Sequence, residues 1–240
     1  VAVAHGVPPE RISYGNTVRR ASEIEHARDA GVAMFAVDDD HELTKVLDHA
    51  PGSTVLARLN TEGTGAAWPL SRKFGTDVPT AQSMLERAQS RGHGVGATFH
   101  VGSQQKDPAA WDQALAEAAG LFRDLEAVGI ELGMVNLGGG FPTPYRASVP
   151  GTATYGVEIM TAVRRHFGNR LPFLIAEPGR GLVGNAGVIQ TEVVLIADKG
   201  DFRDLFIKNP CLGLRRQPDL LQRRVADDDR VPVAGDDPRE

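Results

Sequence analysis

The sequence predicts an α/β fold built as a (β/α)8 TIM-type barrel. Three observations predict it. Short apolar, β-branched-rich runs alternate with stretches of helical period. Single helices separate successive runs, which is the arrangement of parallel βαβ units. The segments richest in chemistry fall where the runs end, the place where a parallel barrel carries its functional groups.

The runs read as strands are Arg11–Gly15, Val32–Val37, Thr54–Leu59, Val95–Val101, Gly133–Leu137, Pro172–Ala176 and Val188–Ala197. Between them, Ser22–Ala30 places Ile24, Ala27 and Ala30 on one helical face, and Glu42–His49 does the same with Leu43, Val46 and Leu47. Ala81–Ser90, Pro108–Ala127 and Val157–Phe167 follow the same period. Asp107-Pro108 reads as an N-cap followed by a proline at the first helical position. Gly31 and Gly129 read as helix stops. The barrel is expected over residues 1–197. From Asp198 the periodicity weakens and charge rises, so residues 198–240 read as a divergent or truncated tail. A short, uncapped helix at Asp219–Val225 and disorder over 226–240 are the expectations there.

Composition sets bounds on function. A chain of 240 residues can bury a sizeable core, and its 41% hydrophobic and 24% charged residues are those of a soluble globular protein. The formal net charge of -5, with Lys and Arg scattered, points away from nucleic acid and from anionic membranes as partners. The single cysteine, Cys211, excludes an internal disulfide and a cysteine zinc cluster, and fits a reducing cytoplasm. No apolar run reaches the ~20 residues of a membrane span. The opening VAVAHGVPPE has neither the basic region nor the apolar core of a signal peptide. The seven histidines show no metal-ligand spacing, so no metal site is expected.

Three strand ends carry the chemistry: Phe99–Gln104, Asn136–Pro142 and Ala176–Arg180. Gly138, Gly139 and Gly140 leave backbone N–H groups bare and able to curl around an anion. Singly, such a triplet is also an ordinary turn. His100 offers a flat ring for stacking on a planar ligand, or a packed core histidine; Ser103 offers a hydroxyl to an anion, or simply a turn. Glu177 ends a very apolar strand, where a carboxylate needs a partner. Arg180, three residues on, is either that partner or a separate fork of donors for a phosphate, with Glu177 left to bind a protonated ring nitrogen. Together these groups match pyridoxal phosphate part by part. A competing motif, Gly179-Arg180-Gly181-Leu182-Val183-Gly184, satisfies G-x-G-x-x-G, with Asp198 near the distance of a ribose-binding acid. That alternative is an NAD(P)-dependent oxidoreductase.

Beyond these strand ends, Pro9–Ile12, Ser22–Ile24 and Trp68–Gly75 complete a pattern that resembles the ornithine/lysine/diaminopimelate decarboxylases of the alanine-racemase-type barrel. Lys73-Phe74-Gly75 and Gly-Gly-Gly-Phe-Pro point to the ornithine/lysine branch. The resemblance covers about Val7 to Ala197. It implies that His100 stacks on the cofactor ring and that Ser103, Gly138, Gly139, Gly140, Gly179 and Arg180 bind its phosphate. It implies that Glu177 keeps the pyridine nitrogen protonated, favouring decarboxylation over racemisation. It further implies decarboxylation of a small basic amino acid, L-ornithine to putrescine, by a protein that is a homodimer when full length. Two departures follow. The family's cofactor-bonding lysine precedes everything here, and Lys45, Lys73, Lys106, Lys199 and Lys208 do not match it. The barrel is therefore expected to lack its first strand, and the chain alone to be inactive. The family's C-terminal β-domain is absent or not recognisable, and Cys211, followed by Leu212, takes no proton-donor role. The remaining alternative is a non-catalytic relative that binds a regulatory protein.

Overall fold

A computed structural model of the chain describes residues 1–70, 73–145, 147–187, 192–199, 202–208 and 220–226. Two compact units make it up, Val1–Ala186 and Gly187–Glu240.

In the first unit the strands are β1 (Ser13–Tyr14), β2 (Met34–Val37), β3 (Thr54–Arg58), β4 (Ala66–Trp68), β5 (Gly94–Thr98), β6 (Ser103–Gln105), β7 (Met134–Asn136) and β8 (Phe173–Ile175). Six of them form one sheet in the order β1-β2-β3-β5-β7-β8, and every neighbouring pair is parallel. The other two, β4 and β6, pair antiparallel as a separate ribbon. The helices are α1 (Ala21–Asp29), α2 (Asp40–His49), α3 (Val78–Ser90), α4 (Trp111–Ala127), α5 (Thr152–Phe167) and α6 (Gly179–Val183). Asp39 and Asp77 cap α2 and α3, accepting from the His41 and Thr80 amides at 2.8 Å. Asp107 does cap a helical start, accepting from the Ala109 amide, but Pro108–Ala110 is a 3-10 turn that leads into α4. Gly31 and Gly129 have φ of 88° and 83°, the left-handed conformation that ends the preceding helices.

The central strands β2, β3, β5 and β7 are mostly buried because both their faces are covered, whereas Phe173 on the edge strand β8 is exposed. Phe35, Val37, Val55, Ala57, Val95, Ala97 and Val135 pack outward into the core shared with the helices. The alternate residues face the other way. A Cβ on Gly96 would come within 2.7 Å of Met134 Cγ and 2.8 Å of Leu56 Cδ2, so that face has no room for a side chain at this position. The sheet curls. A cavity of about 740 Å³ is lined by Ser13 and Gly15 from its first edge and by Phe173, Leu174 and Ile175 from its last. Six parallel strands curling around a common interior are part of the eight-stranded barrel that the sequence pattern suggests.

The second unit carries strands β9 (Glu192–Lys199), β10 (Phe202–Lys208) and β11 (Leu220–Ala226) in an antiparallel sheet of order β11-β10-β9. This departs from two expectations. The run Val188–Ala197 is expected to be one more strand like those before it; its described part is a strand that pairs antiparallel with β10, only two residues further on, and so short a connection suits a hairpin and not a parallel crossover. The uncapped helix expected at Asp219–Val225 is not found over its described residues, because Leu220–Ala226 is a strand on β10. A helix of that length without caps is marginal, whereas an open strand edge offers a full ladder of hydrogen bonds. Cys211 and the tail over 227–240 lie outside the described residues. Among the described residues no helix is long and apolar enough to cross a membrane.

Trp111 joins the helical layer to the strand ends. It is fully buried, and its indole N–H donates to the Leu137 carbonyl at 3.1 Å. Its ring meets Phe141 at 5.0 Å and Tyr155 at 5.7 Å between centroids. Trp111→Ala is expected to lower the unfolding free energy by ~3–5 kcal/mol, the usual cost of emptying a buried aromatic site. Urea unfolding followed by circular dichroism measures it, and a loss below 1 kcal/mol would contradict the packing described.

Candidate active site

The three chemically loaded strand ends meet at one mouth of the sheet. His100 follows β5, Gly138–Gly140 follow β7, and Glu177 follows β8. The glycines are wedged between the other two segments. Gly138 has φ of 64°, and a Cβ there would collide with the Phe99 carbonyl oxygen. A Cβ on Gly139 would lie 2.8 Å from His100 Nε2 and 3.1 Å from the Glu177 carbonyl. Gly140 has φ of 108°, and its carbonyl accepts from the Gln105 amide at 2.8 Å. The turn therefore needs glycine for close approach on both sides, which an ordinary flexible turn would not. Ser103 begins β6, and its register partner on the neighbouring ribbon strand is Trp68.

Glu177 and Arg180 do not pair. Among the described residues no salt bridge joins them. The Glu177 amide donates to the Gly138 carbonyl at 2.9 Å, and its Oε1 accepts from Asn136 Nδ2 at 2.7 Å. The same oxygen lies 3.2 Å from where a Cβ on Gly15 would be, so the carboxylate stands between the ends of β8 and β1. Arg180, in α6 just after Gly179, donates from Nη1 to the Tyr145 hydroxyl at 3.0 Å and lies 5.3 Å from the Trp68 ring centroid. Both Glu177 and Arg180 are exposed, ready to meet a ligand.

His100 is half-buried, and its Nδ1 accepts from the Gly102 amide at 3.0 Å, which places the proton of a neutral ring on Nε2. Burial is the main cause that pushes its pKa down; the Arg58 charge pushes the same way, and Glu177 opposes them. Arg58 ends β3 and lies 4.7 Å from the Phe74 ring centroid. Burial lowers its pKa as well, with Asp38 and then Glu177 restoring part of it. Asp38 also accepts from Thr17 Oγ1 at 3.0 Å and from the Gly75 amide at 2.9 Å. The mouth thus carries an alternating row of charges around a neutral ring.

Sequence reasoning assigned no role to Arg58, Asn136, Trp68 or Tyr145. Arg58 was findable: it is a charge ending an apolar strand, the same signal that singled out Glu177. Asn136 was likewise a polar residue between an apolar run and the glycines. Trp68 ends the three-residue strand β4 and Tyr145 lies in a loop; neither stretch has a readable period, and only tertiary folding brings them to Arg180. The G-x-G-x-x-G match is the short helix α6 with its flanks, and Asp198 belongs to β9 in the other unit. Among the described residues no cluster of His, Cys, Asp or Glu is arranged to hold a metal.

Comparison with known proteins bears on the same residues. Residues 1–184 match the family described as pyridoxal-dependent decarboxylase, pyridoxal binding domain. The chain is 34% identical over 199 residues to the lysine/ornithine decarboxylase of Selenomonas ruminantium, covering 82% of this chain and 50% of that protein. It is 35% identical over 191 residues to the ornithine decarboxylase of Mus pahari, covering 79% of this chain and 41% of that protein. Its fold matches the crystal structure of an SrLDC mutant in complex with PLP, with a TM-score of 0.71 and 31% identity over 86% of this chain and 54% of that one. The chain thus spans about half the length of the curated relatives it matches.

The electrostatics of the mouth can be checked directly. The His100 imidazole is expected to titrate below its ordinary value of about 6.5, and so to be neutral at pH 7. Because a lowered folded pKa means that the unfolded chain binds the proton first, this group costs stability as pH falls below about 6.5. Arg58→Met should raise the His100 midpoint and Glu177→Gln should lower it further. Histidine ring protons followed by NMR report both, and a midpoint that ignores the two substitutions would refute the charge coupling.

Proposed function

This chain belongs to the pyridoxal-dependent decarboxylase family, and from that premise we propose that it forms the cofactor-binding part of a decarboxylase for basic amino acids, with L-ornithine converted to putrescine. The family's cofactor is pyridoxal phosphate. The residues present fit it. The glycine turn is held so tightly that a Cβ at Gly139 would meet the His100 ring, leaving bare backbone where a phosphate or ring edge would sit. An exposed guanidinium and an exposed carboxylate stand at the same mouth without neutralising each other.

When bound, pyridoxal phosphate supplies an electron sink for the pair left behind as CO2 departs. The protein's residues do the rest. Gly138, Gly139, Gly140, Gly179, Ser103 and Arg180 bind the phosphate and so orient the ring. His100, neutral and half-buried, presents a flat face for stacking. Glu177 holds a proton on the pyridine nitrogen, because a carboxylate beside that nitrogen stabilises the charged form. Asn136 keeps the Glu177 carboxylate in place through the 2.7 Å hydrogen bond. That hydrogen bond is the observation that carries the proposal: it satisfies Glu177 with a neutral amide and leaves its negative charge free for a cationic nitrogen. An ion pair with Arg180 would have cancelled both charges.

Arg180→Ala is expected to weaken pyridoxal phosphate binding by ~1.5–3 kcal/mol, the range for a hydrogen bond to a charged group. Cofactor titration at fixed salt measures this, and an unchanged affinity would leave Arg180 a surface residue with a purely structural contact.

Glu177→Gln is expected to retain the cofactor and lose turnover, by ~10²-fold or more if the charge acts mainly in the transition state. The assay is CO2 release from L-ornithine, L-lysine and L-arginine in protein competent for decarboxylation. Equal turnover in the variant would remove the proposed role, and a preference for lysine or arginine would reassign the substrate.

A further inference from the structure

We propose that Trp68 and Tyr145 are positioning residues for Arg180, holding its guanidinium beside Ser103 in the orientation in which it meets the cofactor's phosphate. The inference rests on the reading of Arg180 as a phosphate-binding residue. An arginine on an exposed five-residue helix would ordinarily sample many rotamers, and ordering it would oppose binding. Here two contacts order it in advance. The guanidinium lies 5.3 Å from the Trp68 ring centroid, within cation–π range. Its Nη1 donates to the Tyr145 hydroxyl at 3.0 Å. These contacts use one face and one N–H, so the remaining donors of the fork stay available to an anion. Tyr145, as acceptor, keeps its own O–H free to donate.

The placement of Trp68 is specific. Its strand β4 pairs with β6 so that Trp68 lies opposite Ser103, and its carbonyl is 3.4 Å from where a Cβ on Gly102 would be. The ribbon therefore fixes the indole next to the segment that carries Ser103. Core packing does not account for either ring: Trp68 is 55% and Tyr145 57% exposed, whereas Trp111 and Tyr155 are buried. Among the described residues no carboxylate forms a salt bridge with Arg180. Among the described residues the groups that orient the guanidinium, a ring face and a hydroxyl, are neutral, which leaves its charge available to a phosphate.

The test uses the full chain and equilibrium dialysis against pyridoxal phosphate, with pyridoxal, which lacks the phosphate, in parallel. Tyr145→Phe and Trp68→Ala should each weaken pyridoxal phosphate binding about two- to fivefold, the effect of an exposed cation–π contact or a single partly solvated hydrogen bond. Trp68→Phe, which retains a ring face, should stay within about twofold of the parent on the same scale. Pyridoxal binding should not change in any of them. In the Arg180→Ala background, adding either substitution should weaken binding no further, because the group they position is gone. If Arg180→Ala itself leaves pyridoxal phosphate affinity unchanged, the phosphate role of Arg180 fails and this inference with it. If Arg180→Ala weakens binding but Tyr145→Phe and Trp68→Ala do not, the positioning role alone is overturned. It is equally overturned if they weaken pyridoxal to the same extent, if their effects persist without Arg180, or if Trp68→Phe falls as far as Trp68→Ala.

Discussion

The candidate site depends on the side chain of Asn136. This residue is 1% exposed at the end of β7, where its two polar ends do different work. Its Oδ1 accepts from the Gly138 amide at 3.0 Å, and its Nδ2 donates to Glu177 at 2.7 Å. One amide therefore sets the start of the glycine turn and the orientation of the carboxylate on the neighbouring strand. A buried amide is tolerated only when its hydrogen bonds are made, and both bonds here go to groups of the site. The reciprocal backbone bond, from the Glu177 amide to the Gly138 carbonyl, closes the same junction. Strands β7 and β8 are thus tied at their ends more firmly than by pairing alone.

Behind this junction stands an aromatic and hydrogen-bonded wall. Trp111 holds the Leu137 carbonyl, and the Tyr155 hydroxyl donates to the Gln105 carbonyl at 2.8 Å. Gln105 in turn donates through its backbone to Gly140. Helices α4 and α5 thereby reach through to both flanks of the glycine turn. The core stabilises the fold and also fixes where the bare backbone of the turn lies, which is how a rigid scaffold positions a loop-borne site.

The two exposed charges at the mouth, Glu177 and Arg180, are not paired with each other. Glu177 is satisfied by an amide, Arg180 by a hydroxyl and a ring face, and Arg58 by a ring face with Asp38 nearby. Deeper in the unit the pattern is different. Arg19 is 3% exposed, donates to the Ala36 carbonyl at 2.6 Å and sits near Glu42, which also holds Lys45. There buried charges are compensated by charges, the usual condition for their burial.

By itself the sequence determined the parallel α/β pattern, the helices and the three strand ends that carry His100, Gly138–Gly140 and Glu177. Those features are local: strand periodicity, caps such as Asp107, stop glycines such as Gly129, and polar residues at the ends of apolar runs are all written within a few neighbouring positions. The helix expected at Asp219–Val225 failed because a strand there depends on a partner, β10, that lies elsewhere in the chain. Only the tertiary structure decided that Glu177 pairs with Asn136 and that Arg180 turns instead to Trp68 and Tyr145. Three residues of spacing allow Glu177 and Arg180 to pair but do not require it. The choice rests on what the curled sheet brings alongside each of them, from positions 35 to 112 residues away in the chain for Arg180 and 41 for Glu177. Contacts over such separations have no signature in local sequence, because they exist only once strands from distant segments share one mouth.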